Sequence, residues 1–256
     1  MSAAIATCRY GGLRFGECTF EMNQVKAGSL MRIDDGMLDL EGVRIDQNIY
    51  DATQGIIFTT TDAALNYNES TCSVNNTPIV GSASQGCEGI FVDDSQGCIG
   101  LDVCDTFAPT EYPSAAPSAV PSFVGRACYE TLQGLQAAIV DAEERDEQAT
   151  IRVCADATLD GNAEYAFSPL KISKGIVNLK CGKKGTLDDG CVLFGGVNIQ
   201  IYIGPNVKSV SLSGFSMVDA GTISVLAAGR NTSVASFLNC QWRVSYPLCQ
   251  FITFSK

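Results

Sequence analysis

The sequence predicts an all-β fold of the solenoid type. Outside one helical segment, most of the chain reads as strands of three to six β-branched and apolar residues, each ended by Gly, Asn or Asp. Apolar residues also recur 24 residues apart, at Val153, Val177, Ile201 and Val225 and again at Val210 and Val234. A β-sandwich would give similar short strands, but it requires no fixed period. The recurrence therefore favours stacked coils over a sandwich.

One segment is expected to be an amphipathic helix, at about residues 128–148. Its apolar residues fall on a single helical stripe, which comprises Leu132, Leu135, Ala138, Ile139 and Ala142. A helix at this position would cover the first coil of the strands that follow it and shield their open edge.

A linker is predicted at residues 108–123, which hold four of the eight prolines among Ser and Ala. Residues 1–107 are expected to be the C-terminal part of one solenoid unit, and residues 124–256 the N-terminal part of a second.

"LRFGECTFEM" near the start resembles "ASFLNCQWRV" near the end, since each places an aromatic residue, Phe20 or Trp242, two positions after a Cys. We therefore expect both ends to be cut from a longer array, with a leader upstream. The alternative is a complete two-domain protein whose coils pack on each other.

Cysteines and sequons favour an oxidising, extracellular or cell-surface location. With no histidine and no C-x-x-C, the chain offers neither a zinc ribbon nor a Cys/His zinc site. Three sequons, at Asn68, Asn75 and Asn231, are candidate glycosylation sites. The twelve cysteines, six on each side of the linker, are candidates for disulfides: Cys8, Cys18, Cys72, Cys87, Cys98, Cys104, Cys128, Cys154, Cys181, Cys191, Cys240 and Cys249.

The charge balance argues against two classes of partner. A net charge of −11 argues against a surface that neutralises nucleic-acid phosphates, and it disfavours binding to an anionic membrane. No apolar run approaches the roughly 18 residues that a membrane span needs.

Several motifs of the second half resemble a known family. The Cys-bearing helix is followed by "IRVCADATL", by the pair "LKC" and "CVLFGG", and by "VSLSGFS", after a "PSAAPSAVPS" linker. In this order they resemble the pectin-lyase-like right-handed parallel β-helix domains of large secreted proteins of diatoms and related algae. The resemblance covers residues 108–243. Residues 1–107 share with that family only a general succession of short strands and turns. It implies two partial β-helix units with a helix capping the second.

Within that fold, disulfides are expected to join sequence neighbours. Six cysteines allow 15 connectivities, so the pairs Cys128–Cys154, Cys181–Cys191 and Cys240–Cys249 are an expectation and not a derivation. A single leucine-rich-repeat-like phrase, "LEGVRIDQN" with Asn48 at its ladder position, offers a different fold. A true array of that kind would repeat the phrase every 20–29 residues.

Enzymes of the β-helix fold are mostly polysaccharide hydrolases and lyases. The absence of histidine and of the expected aspartate motifs argues against a hydrolase. A lyase could use calcium with an Arg or Lys base. Weak calcium candidates are the acidic pairs Asp34 with Asp35 and Asp188 with Asp189, and also Asp93 with Asp94.

These candidates have a plainer interpretation. The acidic pairs occupy turn-like contexts, and adjacent strand residues face opposite ways, so turn residues are favoured over calcium ligands. Solvated charges are favoured over catalytic bases for Lys183, Lys184, Arg230 and Arg243. We assign no catalytic residue and no metal ligand.

The preferred functional hypothesis is a non-catalytic secreted or cell-surface β-helix module. Its role would be structural or adhesive, with polysaccharide or other extracellular matrix components as partners and no cofactor. The alternative is a calcium-dependent, pectate-type polysaccharide lyase, which rests on fold analogy alone.

Overall fold

The structure is a computed structural model that describes most of the chain. The described residues are 6–8, 12–23, 29–33, 36–50, 55–60, 63–68, 70–78, 89–92, 97–104, 128–145, 148–164, 169–195, 199–219, 223–227, 234–243 and 252–254. No helix among these residues has the length and apolar character needed to cross a membrane.

The first half contributes fourteen short strands. They are β1 (Ala6–Cys8), β2 (Gly12–Gly16), β3 (Thr19–Glu21), β4 (Met31–Ile33), β5 (Met37–Glu41), β6 (Arg44–Asp46), β7 (Ile49–Tyr50), β8 (Ile57–Thr59), β9 (Ala64–Tyr67), β10 (Cys72–Val74), β11 (Thr77–Pro78), β12 (Gly89–Val92), β13 (Gly97–Gly100) and β14 (Asp102–Val103).

The second half contributes a helix and ten further strands. They are α1 (Leu132–Arg145), β15 (Ala149–Val153), β16 (Thr158–Asp160), β17 (Leu170–Cys181), β18 (Cys191–Phe194), β19 (Ile199–Ser213), β20 (Phe215–Val218), β21 (Ile223–Ala227), β22 (Val234–Leu238), β23 (Gln241–Arg243) and β24 (Ile252–Phe254).

The strands stack into a right-handed parallel β-helix, as the sequence predicts. Three faces can be followed through the coils. The first face comprises β15, the C-terminal parts of β17 and β19, and then β22, β2, β5 and β9. The second runs from the N-terminal parts of β17 and β19 through β21, β24, β1, β4 and β8 to β12. The third contains β16, β18, β20, β23, β3, β6, β10 and β14.

The two halves of the chain meet in the middle of this stack. There β22 pairs with β2, β23 with β3 and β24 with β1, a contact that we call the seam. Phe15 is in register with Phe237, and Phe20 with Trp242. The two segments whose sequences resemble each other are therefore neighbouring coils. The predicted boundaries of the two units and the linker stay a prediction, because residues 108–123 lie outside the described part of the chain.

The interior of the coils is filled by apolar side chains that repeat from strand to strand. Parallel strands covered on their inner side need continuous apolar positions there. One such row follows the first face, and each of its members is at most 5% exposed: Ile151, Leu179, Leu212, Phe237, Phe15 and Leu40. Burial of each such side chain contributes about 1.5 to 3 kcal/mol.

Helix α1 covers the first coils, as the sequence predicts, and its five-residue stripe is buried. Thr131 accepts a hydrogen bond from the Gly134 N–H at the helix start. The Gln136 side chain bonds both the N–H and the carbonyl of Lys171 in β17, at 2.7 and 2.9 Å. Glu143 accepts from the Ser173 N–H. The helix thus satisfies backbone groups at a strand edge that would otherwise stay open.

Three neighbouring coils bend from the first face to the third through a residue with positive φ. Asn239 (50°), Glu17 (51°) and Gly42 (64°) occupy this corner in three consecutive coils. The N–H groups of Asn239 and Glu17 donate to Gly16 and Glu41 in the next coil, at 2.8 and 2.7 Å. This repeated corner holds the coils in register although the other connections differ in length.

Two expectations about the strands are wrong in detail. Of the valine and isoleucine pairs expected at a 24-residue interval, only Ile201 and Val225 are in register. Val177 instead pairs with Val210, and Val153 with Cys181, because connections of unequal length separate the coils. Moreover, β17 and β19 have 12 and 15 residues, since each continues from the second face onto the first.

Candidate functional site

A row of polar side chains runs along the outside of the first face. Its members are in register across seven consecutive strands, and we call them the polar ladder: Thr150, Asn178, Ser211, Ser236, Arg14, Asp39 and Asn66. All seven are exposed or half-buried. At the usual spacing of parallel strands the ladder is about 29 Å long. It crosses the seam between Ser236 and Arg14, so both halves of the chain build it.

The charges along the ladder nearly cancel. Arg14 lies 3.4 Å from the Asp39 carboxylate and 3.1 Å from that of Glu41. Arg152 and Lys180 lie on the adjacent outward row at the other end. In a chain of net charge −11 this face is close to neutral. It therefore repels acidic polymers less than the average surface and offers uncharged hydroxyl and amide groups along its centre.

The third face lacks such a continuous row. Its outward positions are interrupted by apolar side chains at Val192, Phe194 and Val218. Thr158, Ser216 and Thr19 face outward there and provide hydroxyl groups comparable with those of the ladder. Of these two faces, only the first carries a continuous polar row within the described strands.

The acidic pair Asp188 and Asp189 lies in a short 3-10 turn, Leu187–Asp189. The Asp189 carboxylate accepts hydrogen bonds from the N–H groups of Lys184 (2.9 Å) and Gly185 (2.8 Å). Gly182 passes so close that a Cβ there would lie 2.3 Å from Asp189 Cγ. These contacts give Asp189 a turn-forming role.

Only some of the remaining acidic and basic candidates lie within the described residues. The acidic pairs 34–35 and 93–94, together with Arg230, lie outside the described residues. Arg243 contacts the Met22 sulfur at 3.7 Å, on the third face. Within the described ranges, no cluster of three or more His, Cys, Asp or Glu side chains could hold a metal ion.

Three disulfides join described cysteines. Cys128–Cys154 and Cys181–Cys191 are the expected sequence neighbours, and the third is Cys72–Cys104. The expected Cys240–Cys249 bond is not formed, because Cys240 is a buried free thiol next to the seam. Cys18 is the other buried thiol described. Cys8, Cys87, Cys98 and Cys249 have no described side-chain environment.

Two of the three sequon asparagines lie at exposed corners of the coils. The Asn68 side-chain oxygen accepts from Ser70 Oγ at 2.7 Å and from the Gly42 N–H at 3.2 Å. Asn75 is exposed and lies 3.5 Å from the Asp46 carboxylate. Asn231 lies outside the described residues.

Asn48 belongs to a stack of three asparagines after the third face, in which Asn23 and Asn48 are buried and Asn76 is half-buried. Its Oδ1 accepts from the N–H and the side-chain amide of Asn23, both at 2.9 Å. Its own amide donates to Asn76 Oδ1 and to the Phe20 carbonyl, each at 2.9 Å. The three side chains connect consecutive coils of a β-helix, and this overturns the leucine-rich-repeat interpretation of the phrase around Asn48.

Sequence reasoning found Asn48 but missed both Asn23 and Asn76 and the polar ladder. Each of the three asparagines ends a pentapeptide that begins with a third-face strand: "TFEMN", "RIDQN" and "CSVNN". This local pattern could have revealed the stack. The ladder has no such signal, because its members align only when the lengths of all intervening connections are known.

The chain was compared with protein-family models, with curated proteins and with solved structures, and none of them matches it.

Proposed function

We propose that this chain is a non-catalytic β-helix module that binds neutral polysaccharide along the polar ladder. The observation that supports the proposal is the in-register run of hydroxyl, amide and mutually paired charged groups over seven strands. An extended polysaccharide presents hydroxyl groups at regular intervals, and a flat row of donors and acceptors suits such a ligand. Thr150, Asn178, Ser211 and Ser236 form the uncharged part of the strip.

The rigidity of the strip supports binding without large rearrangement. Each ladder residue is held by strand pairing on both sides, except at the two ends of the stack, so little backbone entropy is lost on binding. Inward neighbours such as Leu212 and Phe237 are buried and fix the orientation of the strands. The face is therefore preorganised in the way that recognition surfaces require.

The setting of the proposal is an extracellular or cell-surface array, as in the algal proteins that the second half of the chain resembles. Three described disulfides fit an oxidising compartment. Glycans at Asn68, Asn75 and Asn231 would belong to the same setting. In such an array the module contributes a stiff, disulfide-linked element, and the polar ladder binds matrix polysaccharide.

The test measures binding and cleavage on one panel of polymers. The folded chain is incubated with neutral glucans, mannans and xylans and with acidic pectate, each with calcium or with chelator. We expect sedimentation with at least one neutral polymer in both conditions, and no ultraviolet absorbance from unsaturated products. Calcium-dependent product would overturn the proposal in favour of the lyase, and an absence of binding to every polymer would leave only a structural role.

A pair of matched variants locates the binding face. Thr150→Ala/Ser211→Ala/Ser236→Ala removes three hydroxyl groups from the ladder. Thr158→Ala/Ser216→Ala/Thr19→Ala removes three from the third face. We expect the first variant to lose at least tenfold in affinity and the second to bind like the wild type. Equal loss in both variants would contradict the assignment of the ladder.

A further inference from the structure

Two buried thiols lie opposite each other at the seam. Cys18 immediately precedes β3 and Cys240 immediately precedes β23, and these strands pair with Thr19 in register with Gln241. The Thr19 N–H donates to the Cys240 carbonyl at 2.9 Å. The two Cα atoms are therefore about one strand spacing apart, roughly 4.7–4.9 Å. Disulfides span Cα distances of about 4.4–6.8 Å, so the separation suits a bond.

Other disulfides of this chain bridge the same kind of separation. Cys128–Cys154 has a Cα distance of 4.8 Å and Cys72–Cys104 one of 4.9 Å. The second of these joins neighbouring coils on the third face, where β10 pairs with β14. Adjacent coils of this solenoid thus already bring cysteines within disulfide distance, here with Cys104 two positions beyond Asp102, the register partner of Cys72.

The side chains of the two cysteines point into the same interior space. Cys18 is 1% exposed and Cys240 0% exposed. The Cys18 thiol lies 3.3 Å from the Phe237 carbonyl, which belongs to the coil of Cys240. Burial, followed by a side-chain hydrogen bond with the Cys240 thiol, raises the pKa of Cys18 well above its usual value. The Cys18 sulfur therefore reaches the coil that carries Cys240.

We propose that Cys18 and Cys240 form a disulfide that closes the seam covalently in an oxidising compartment. A small disulfide such as oxidised glutathione is the oxidant. Before the coils at the seam have closed during folding, one protein thiolate attacks it to give a mixed disulfide and release one glutathione thiol. The second protein thiolate then displaces the other glutathione. The two cysteine thiols lose two protons and two electrons in total, and these reduce the glutathione disulfide to two thiols.

This bond would have a consequence that the described disulfides do not have. Each of those three lies within one half of the chain, and the seam between the halves is held by strand pairing and packing. A Cys18–Cys240 bond would join residues from opposite ends of the sequence. It would thereby fix the two halves of the polar ladder in register. The inference concerns the covalent structure and does not depend on polysaccharide binding.

Peptide mapping of the full chain tests the proposal. The reduced chain is refolded in a glutathione redox buffer, remaining thiols are blocked in denaturant, and the product is digested with trypsin without reduction. Residues 15–26 and 231–243 form tryptic peptides that each contain a single cysteine. We expect these two peptides to be recovered linked, from a monomeric band on a non-reducing gel. Recovery of both as blocked thiols, with Cys128–Cys154 and Cys181–Cys191 intact, would overturn the proposal, and so would a link found only in dimers.

A matched variant distinguishes the stabilising effect of the bond from that of side-chain packing at the same position. Val43 occupies the position of Cys18 in the next coil, so Cys18→Val introduces a side chain that this row already accommodates. We expect the oxidised wild type to melt about 10 °C above Cys18→Val. Equal melting temperatures in oxidising buffer would show that no stabilising bond forms between the two cysteines.

Discussion

The rings of Phe20 and Trp242 stack face to face across the seam, with centroids 4.9 Å apart and planes 6° from parallel. Phe15 and Phe237 stack on each other at 5.3 Å, and each meets Trp242 edge to face. Four aromatic side chains from opposite ends of the chain thus form one cluster at the seam. Trp242, Phe15, Phe20 and Phe237 are all fully buried.

Truncation at this cluster is expected to weaken the joining of the two halves. Trp242→Ala should lower the free energy of unfolding by about 3 to 5 kcal/mol, because it removes the largest buried ring and leaves a cavity. Phe194→Ala, on the outer side of the third face, should cost about 1 kcal/mol or less. Urea unfolding measures both. In a double-mutant cycle, Phe20→Ala and Trp242→Ala should couple by about 0.5 to 1.5 kcal/mol, and no coupling would contradict the stacking.

The asparagine stack is expected to contribute strongly through hydrogen bonds. Asn48→Ala removes the acceptor of the Asn23 N–H and side-chain amide, and it removes a donor to the Phe20 carbonyl, in a buried environment. Asn76 Oδ1 keeps its bond from the Asn48 N–H. We expect a loss of about 2 to 4 kcal/mol, since each buried polar group left unsatisfied costs about 1 to 3 kcal/mol. Asn66→Ala, at an exposed position, should change stability by about 0.5 kcal/mol or less. Comparable losses in the two variants would show that the stack contributes little.

Gly182 is expected to be intolerant of a side chain. It has φ of 50°, and an added Cβ would meet the Asp189 carboxyl group at 2.3 Å. Gly182→Ala should therefore cost more than the roughly 1 to 2 kcal/mol of left-handed strain alone. Gly100→Ala serves as the control, because a Cβ added there would have no atom within 4 Å and the φ of Gly100 is not in the left-handed region. Thermal unfolding of both variants provides the comparison, and a wild-type melting temperature for Gly182→Ala would refute the close approach.

The reduced protein is expected to lose stability in alkaline solution because of Cys18. Burial, followed by contact with the Cys240 thiol, raises the pKa of Cys18, so the folded state favours the neutral thiol. The associated stability is present below the unfolded pKa of about 8.5 and declines as the pH rises from there through the folded pKa. The slope contributed by one such group is about 1.4 kcal/mol per pH unit. Under reducing conditions Cys18→Val should show a shallower decline between about pH 8.5 and 10 than the wild type, and identical slopes would exclude this contribution.

The sequence predicted the fold class, the capping helix and the likeness of the segments that meet at the seam. These features depend on local patterns: β-branched strands, a helical stripe, and an aromatic residue two positions after a cysteine. The positions of the coils could not be predicted equally well. Val177 pairs with Val210 and not with Ile201, because strand pairing fixes the register while the connections between strands vary in length.

Local sequence patterns could not predict the candidate site, for the same reason. Thr150, Asn178 and Ser211 are ordinary polar residues in the sequence, and only the register of β15, β17 and β19 aligns them. Asp189 was correctly interpreted as a turn residue from the neighbouring glycine. Cysteine spacing could not have shown that Cys18 and Cys240 lie opposite each other on neighbouring coils, since the residues come from opposite ends of the chain.

The seam also has a consequence for how the protein is made. During synthesis, residues 12–21 leave the ribosome long before their partners at 234–243, and the Cys18–Phe237 contact alone spans 219 positions. Before residues 234–243 are made, β2 and β3 lack their partner strands β22 and β23. The rings of Phe15 and Phe20 have no native neighbour on that edge during this time. Such an edge can pair with other chains and promote aggregation. The other strands of the first half can pair with each other, but this edge stays uncovered until the second half is made. We therefore expect a nascent chain of this topology to need protection of its unpaired strands.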